Sequence, residues 1–270
     1  MIFSNINGKI IPAVDAAVPA DNGAFRYGYG LFETMLVQDG VIRLKQYHWE
    51  RLLQGIALLG FELSKLVTTD KLEEQVLKLV AKNKLEHLCR VRLQLYAAGG
   101  GLYGLTTPQP GYIIECFPLG DDALMLNENG LVAGFVEGVQ KSADVLSNLK
   151  SCNALVYAIA ARQAKARQWN DALISNSSGN IIESTIANIF WIKDEKIYTP
   201  PLTEGCVSGV MRRHLMQILQ GVIEQPLTGE ILLDADEVFL TNAIKKIRWI
   251  GRIEDKEYGN ELIKKINGQL

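Results

Sequence analysis

Lys150 lies in Ser147-Asn148-Leu149-Lys150-Ser151-Cys152-Asn153, and the residues downstream of it give it a chemical meaning. Glu183 comes next, in Ile181-Ile182-Glu183-Ser184-Thr185, then Thr199-Pro200-Pro201-Leu202, then Ser208-Gly209-Val210-Met211 at an expected helix start. A lysine amine with a neutral fraction condenses with an aldehyde to form a Schiff base. A carboxylate keeps a pyridine nitrogen protonated, so that the ring serves as an electron sink. Free backbone N–H groups at a helix N-terminus bind phosphate. An amine, a carboxylate and a glycine-opened helix, in that order, meet the needs of a phosphorylated pyridine aldehyde.

Each of these residues also has an ordinary reading. Lysines are seldom buried, so Lys150 alone reads as a surface amine. Glu183 alone reads as a solvent-facing strand carboxylate, and Arg51, in His48-Trp49-Glu50-Arg51-Leu52, as a surface partner of Glu50 or Glu62. Phe32 and Thr34 share one strand face, where core packing is the default for Phe32. Arg90, Arg92, Gln94 and Tyr96 share the face of another strand, a pattern usual for a solvent-facing polar row. Ser208 is expected to cap the helix that opens at Gly209.

The elements that would position these residues are mixed. Asn7-Gly8 and Asp39-Gly40 are hairpin-turn dipeptides between short strand-forming runs. Apolar positions recur at helical spacing from Tyr47 to Leu59 and from Leu72 to Val80, with Asp70 and Glu73 resembling a capping box. Strands are expected at 89–96 and 112–117, separated by Ala98-Gly99-Gly100-Gly101. The polar break Pro118-Leu119-Gly120-Asp121-Asp122 marks a boundary, giving domains 1–118 and 123–270 joined by 119–122. Beyond it, strands are expected at 130–136, 172–175, 189–192 and 238–241, helices at 153–167 and 209–219, and a turn at Asp194-Glu195.

At 270 residues, 48% hydrophobic and 21% charged, the chain has the composition of a globular protein with a substantial core. Its formal charge of -2 argues against broad electrostatic capture of nucleic acid or anionic membrane. The apolar run 154–161 is shorter than the ~20 residues a bilayer crossing needs. No secretory signal is visible, and Cys89, Cys116, Cys152 and Cys206 show no paired spacing, so a reducing cytoplasm is expected. His48, His87 and His214 form no ligand cluster, and no metal is expected.

Taken in order, the motifs resemble the class IV (fold type IV) pyridoxal-phosphate aminotransferase family of branched-chain aminotransferases, D-amino-acid aminotransferases and aminodeoxychorismate lyase. The resemblance runs from Phe25-Arg26-Tyr27-Gly28-Tyr29-Gly30-Leu31-Phe32-Glu33-Thr34 to Glu237-Val238-Phe239-Leu240-Thr241-Asn242. It implies an α+β, two-domain fold: a small N-terminal domain and a larger, barrel-like C-terminal domain, with pyridoxal 5'-phosphate between them. By the same resemblance Lys150 forms the Schiff base and moves the proton, and Glu183 partners the ring nitrogen. Arg51, the backbone at Gly209, Val210 and Met211, and the loop of Thr241, Asn242 and Ala243 take the phosphate. Thr34 assists proton transfer, Phe32 and Tyr96 border the substrate, and Arg26, Arg90 and Arg92 are candidates for its carboxylate. Arg26 would come from the neighbouring subunit of a homodimer. Gly28-Tyr29-Gly30 and Pro200-Pro201 are expected to be architectural.

The chain departs from its relatives in ways that bear on the reaction. Leu155 stands where branched-chain enzymes often carry tyrosine, Arg90-Val91-Arg92-Leu93 replaces their Tyr-x-Arg-Pro, and no Glu-Gly-x-Arg segment is evident. Tyr96-Ala97 replaces the arginine–glycine pair of typical D-amino-acid enzymes. The expectation is a transaminase exchanging an amino group between an amino acid, D-type first, and a 2-oxo acid. The alternatives are a lyase releasing pyruvate from aminodeoxychorismate, a branched-chain L-amino-acid aminotransferase, and a non-enzymatic binding protein that retention of Lys150, Glu183 and Arg51 disfavours.

Overall fold

The computed structural model describes residues 1–65, 67–99, 103 and 109–270. Gly100 and Gly101, from the expected glycine-rich break, lie outside the described residues. The chain forms two compact units: Met1–Ala123 with Lys150–Asn153, and Leu124–Leu149 with Ala154–Leu270. Lys150–Asn153 therefore folds with the first unit, although it lies beyond the expected boundary at 119–122.

In the first unit, strands β1 (Phe3–Ile6), β2 (Lys9–Pro12), β3 (Gly30–Gln38), β4 (Val41–Ile42), β5 (Leu88–Ala97) and β6 (Pro110–Pro118) form one antiparallel sheet in the order β2-β1-β6-β5-β3-β4. Helices are α1 (Gly23–Tyr27), α2 (Lys45–Leu58) and α3 (Thr69–Asn83). The expected hairpins are present, with positive φ at Asn7, Gly8, Asp39 and Gly40. Leu31, Met35 and Val37 bury one face of β3, against which α2 packs; Trp49, Leu52 and Ile56 of α2 are buried as well. Glu33 is the acid in that apolar row. The cap of α3 differs from expectation. Thr68 has the extended backbone of an N-cap, and its hydroxyl accepts from Lys71 N, which leaves Asp70 in the first turn. Glu73 instead takes Lys45 and the Trp49 indole.

The second unit contains β7 (Leu131–Phe135), α4 (Leu155–Ala166), β8 (Asp171–Ser175), β9 (Ile181–Ser184), β10 (Asn188–Lys193), β11 (Lys196–Thr199), α5 (Val210–Ile218), β12 (Ile223–Glu224), α6 (Gly229–Asp234), β13 (Glu237–Asn242), β14 (Lys246–Ile253), β15 (Lys256–Glu257) and α7 (Glu261–Asn267). Its sheet runs β12-β11-β10-β13-β14-β7-β8-β9, and β9 pairs in turn with β10 through Glu183 and Asn188. That last pairing closes β10-β13-β14-β7-β8-β9 into a ring, the expected barrel-like sheet. Ala133, Leu173, Ile189, Trp191, Leu240 and Ile250 belong to one buried cluster of this unit. Ala160 and Ala164 bring α4 close to Ala172 and Ile174 on β8, because they carry no bulk beyond Cβ. Asp194 and Glu195 both take positive φ, confirming the expected turn between β10 and β11. Among the described residues no helix is long and apolar enough to cross a membrane.

Candidate active site

In the first unit, strand register places Lys150. The segment 150–152 lies antiparallel to the start of β3: Phe32 N donates to Lys150 O (2.9 Å), Leu31 bridges Ser151, and Cys152 N donates to Gly30 O (2.8 Å). Lys150 therefore stands directly across from Phe32, on the face that also carries Thr34. Across β5, Phe32 pairs with Gln94 and Thr34 with Arg92. The side chains follow this register: the Lys150 Nζ lies 4.5 Å and the Arg92 guanidinium 3.7 Å from the Phe32 ring centroid. Arg92 donates to Gln94 Oε1 through Nη2 (2.8 Å), and burial lowers its pKa from the ordinary arginine value. The Cys152 thiol is pushed up to about 11 by burial, against the pull of Arg92, so it stays protonated at neutral pH.

The glycines make this register possible. Gly28 ends α1 in the left-handed conformation (φ 68°), and a Cβ there would press on the Asn153 backbone. At Gly30 a Cβ would meet Leu95 O at 2.5 Å and Cys152 Sγ at 3.0 Å. Gly28-Tyr29-Gly30 is thus architectural, as expected.

By register Arg90 and Tyr96 share this face, opposite Leu36 and Gly30. Arg90 is exposed and stacks on Phe117, 4.5 Å from its ring centroid. Tyr96 is buried over Gly111, where its ring fills the space a side chain would take. Arg26 is exposed on α1.

Behind the same strand lies a second cluster that the sequence did not disclose. Glu33 points to the opposite face of β3 from Phe32 and Thr34. Its carboxylate takes Arg51 Nε on Oε1 (2.8 Å), with Arg51 Nη2 and His48 Nδ1 (2.6 Å) on Oε2. Arg51 is thus braced by a buried acid, Glu33. Burial alone would raise the Glu33 carboxyl, but Arg51 and then His48 outweigh it and bring it down to about 2. Burial keeps the His48 imidazole below its usual value against the opposing pull of Glu33. A neutral His48 donates from Nδ1, and its Nε2 is a buried acceptor with no partner among the described residues.

In the second unit Glu183 is buried, not solvent-facing (3% exposed). Lys141 Nζ (2.6 Å) and Tyr157 OH (2.7 Å) donate to its Oε1, and Val207 N (2.9 Å) donates to its Oε2. A carboxylate has about four acceptor positions, so one remains on Oε2. Asn148 and Asn188 hold the loop that brings Val207 here. Asn148 Nδ2 donates to Leu202 O and Cys206 O, Asn188 Nδ2 donates to Val207 O, and Ser208 N donates to Asn148 O.

The start of α5 differs by one residue from expectation. Gly209, not Ser208, is the N-cap, and no side chain caps it. A Cβ on Gly209 would collide with Asn188 Oδ1, so only glycine fits this position. Val210 and Met211 open the helix with their side chains buried. At the end of β13, the Thr241 hydroxyl donates to Lys246 O, while Asn242 Oδ1 accepts from Ile244 N and Lys245 N of the loop that follows. The Asn242 amide donates in turn to Ile186 O (3.4 Å), and the loop continues through Ala243 with backbone N–H groups that suit a phosphate. Sequence reasoning missed Lys141 and Tyr157. Lys141 is a lone cation in a polar stretch, and Tyr157 sits in an apolar run that reads as helix core.

Residues 30–253 match the family Amino-transferase class IV. The chain is 30% identical to the aminodeoxychorismate lyase of Bacillus subtilis, over 95% of this chain and 88% of that one. It is 29% identical to the aminodeoxychorismate lyase of Vibrio harveyi, over 89% of each. The crystal structure of a branched-chain aminotransferase from Thermoproteus uzoniensis superposes with a TM-score of 0.89 at 24% identity, covering 99% of this chain and 93% of that one, which establishes the fold. The fold is therefore type IV, and this family uses pyridoxal phosphate. The residues fit that group: a lysine amine on an aromatic face, a buried carboxylate with an acceptor position left, and a helix start that no side chain caps. The chain belongs to the class IV aminotransferase family and is an enzyme with pyridoxal phosphate as its cofactor.

Proposed function

We propose that this enzyme is a transaminase that moves an amino group between an amino acid and a 2-oxo acid, with Lys150 as covalent anchor and proton carrier. The observation that carries the reading is the register that sets Lys150 opposite Phe32, on the face bearing Thr34 and Arg92. When bound, pyridoxal phosphate supplies the electron sink for charge developing at the substrate Cα. Lys150 would take the proton from Cα and return it, and Glu183 would keep the ring nitrogen protonated. Arg51, fixed by Glu33, would hold the phosphate together with backbone N–H groups of Val210, Met211 and the 241–243 loop. Arg92 would take a substrate carboxylate, since a guanidinium beside a polar amide and an aromatic ring suits a planar anion.

The donor assigned first is a small or acidic D-amino acid, because the chain lacks the branched-chain enzymes' Tyr-x-Arg-Pro and Glu-Gly-x-Arg segments. The same reading places the enzyme in the cytoplasm as a homodimer. A second reading, release of pyruvate from aminodeoxychorismate, is favoured by the identity to two such lyases and by Thr34 on the Lys150 face. The deciding experiment monitors the absorbance of the bound cofactor as D- and L-amino acids are added singly, beside a pyruvate-release assay on aminodeoxychorismate. Conversion of the cofactor by a D-amino acid supports the first reading. Pyruvate release without conversion by any amino acid supports the second, and neither signal would reject both.

A further inference from the structure

Lys141, which has no part in the proposed reaction, forms an ion pair with Glu183. The Lys141 side chain is 11% exposed, its Nζ is 2.6 Å from Glu183 Oε1, and the Tyr157 ring centroid is 5.3 Å away. The backbone holds Lys141 there: its N–H donates to Ser175 O (3.0 Å), and it bridges Asn176. Asn176 is itself fixed, its Oδ1 accepting from Ser178 N and Asn180 N and its Nδ2 donating to Glu204. A lysine this deep is costly to desolvate, and a buried ion pair roughly offsets that cost without a large net gain in stability.

Two other titratable groups near this carboxylate, Tyr157 and Cys206, stay protonated at neutral pH. The Tyr157 hydroxyl is driven far up by burial and then by Glu183. The Cys206 thiol is pushed up to about 12 by burial and then by Glu183, with Arg212 and Lys141 pulling the other way. Arg212 is paired with Glu224. Among the described residues, Lys141 is the cation paired directly with Glu183. Tyr157 and Val207 N–H also hold the carboxylate, so its position does not depend on Lys141 alone.

We propose that Lys141 is a positioning residue of this enzyme: by offsetting the charge of Glu183, it sets the pH at which the ring nitrogen of the bound cofactor would lose its proton. The inference rests on the assignment of Glu183 to the ring nitrogen. An unpaired carboxylate would hold a proton on that nitrogen strongly. With Lys141 attached, the pair is neutral and its hold is weaker.

The test loads the parent protein, Lys141→Met and Lys141→Arg with pyridoxal phosphate carrying nitrogen-15 in its ring, checks loading by absorbance, and follows the ring nitrogen chemical shift by NMR from pH 5 to pH 10. Removing one unit of positive charge should move the ring-nitrogen midpoint of Lys141→Met upward by about one to two pH units. Lys141→Arg should return it close to the parent value. A packing role alone would alter cofactor retention or thermal stability and leave the midpoint in place. If Lys141→Met does not fold, Lys141→Gln, neutral but still a donor, should show the same upward movement. A midpoint equal to the parent's in a folded, loaded neutral variant would overturn the inference while leaving the functional reading standing. A parent protein with no cofactor band would overturn the functional reading, and this inference with it.

Discussion

Replacing Glu33 with glutamine removes the carboxylate that faces both Arg51 and His48 in the interior of the first unit. The magnitude comes from the position of that carboxyl. It is held at about 2 where an ordinary glutamate stands at 4.5, although burial opposes the shift. That difference corresponds to about 3 kcal/mol of stability at neutral pH. Because the folded-state value lies below the unfolded one, the contribution is complete above pH 4.5 and is lost as the pH falls toward 2. At pH 7 the Gln variant also leaves Arg51 without its acid, a change that costs roughly 3–5 kcal/mol for a buried pair. Urea unfolding of the cofactor-free proteins should show a gap of roughly 3 kcal/mol or more at pH 7, narrowing by about half at pH 3. Glu33→Gln should also weaken pyridoxal phosphate more than pyridoxal, which lacks the phosphate that Arg51 is assigned to hold. A stability gap as large at pH 3 as at pH 7 would refute the electrostatic reasoning.

Lys150→Ala should abolish turnover with little loss of thermal stability, because its backbone bonds to β3 do not need the side chain; measurable turnover would exclude the assigned role. Glu183→Gln should retain cofactor but slow the reaction by a factor of ~100 or more, as removal of a charged stabilising group does, read by single-turnover kinetics. Arg92→Gln should raise KM for the amino donor by roughly tenfold or more, the scale of one lost charge-assisted hydrogen bond, while cofactor affinity stays near the parent value in an absorbance titration.

Local chemistry made much of this protein legible in advance. The Asn7-Gly8 and Asp39-Gly40 hairpins, the alternation along β3 and β5, and the helix opening after Gly209 come from turn propensity, strand period and glycine. What stayed hidden depends on contacts between segments far apart in sequence. Nothing near residue 150 announces that it adds an edge to β3 opposite Phe32. Glu33 offered a partial signal, an acid on the buried face between Leu31 and Met35, which demands cationic partners. Those partners are 15 and 18 residues away, on a helix whose rotation the sequence does not set finely enough. Lys141 offered none, because its burial comes from a bridge to Asn176 and from the closing of the barrel. The misplaced caps at Thr68 and Gly209 have a simpler cause: several adjacent residues are competent caps, and backbone geometry chooses among them.

If Lys150 carries the cofactor, the bond between them can be trapped. Borohydride reduction of the protein loaded with pyridoxal phosphate, and then mass mapping of its peptides, tests it directly. A single phosphopyridoxyl label is expected on Lys150, and it should vanish in Lys150→Ala. A label on Lys141 or another lysine, with Lys150 unmodified, would contradict it.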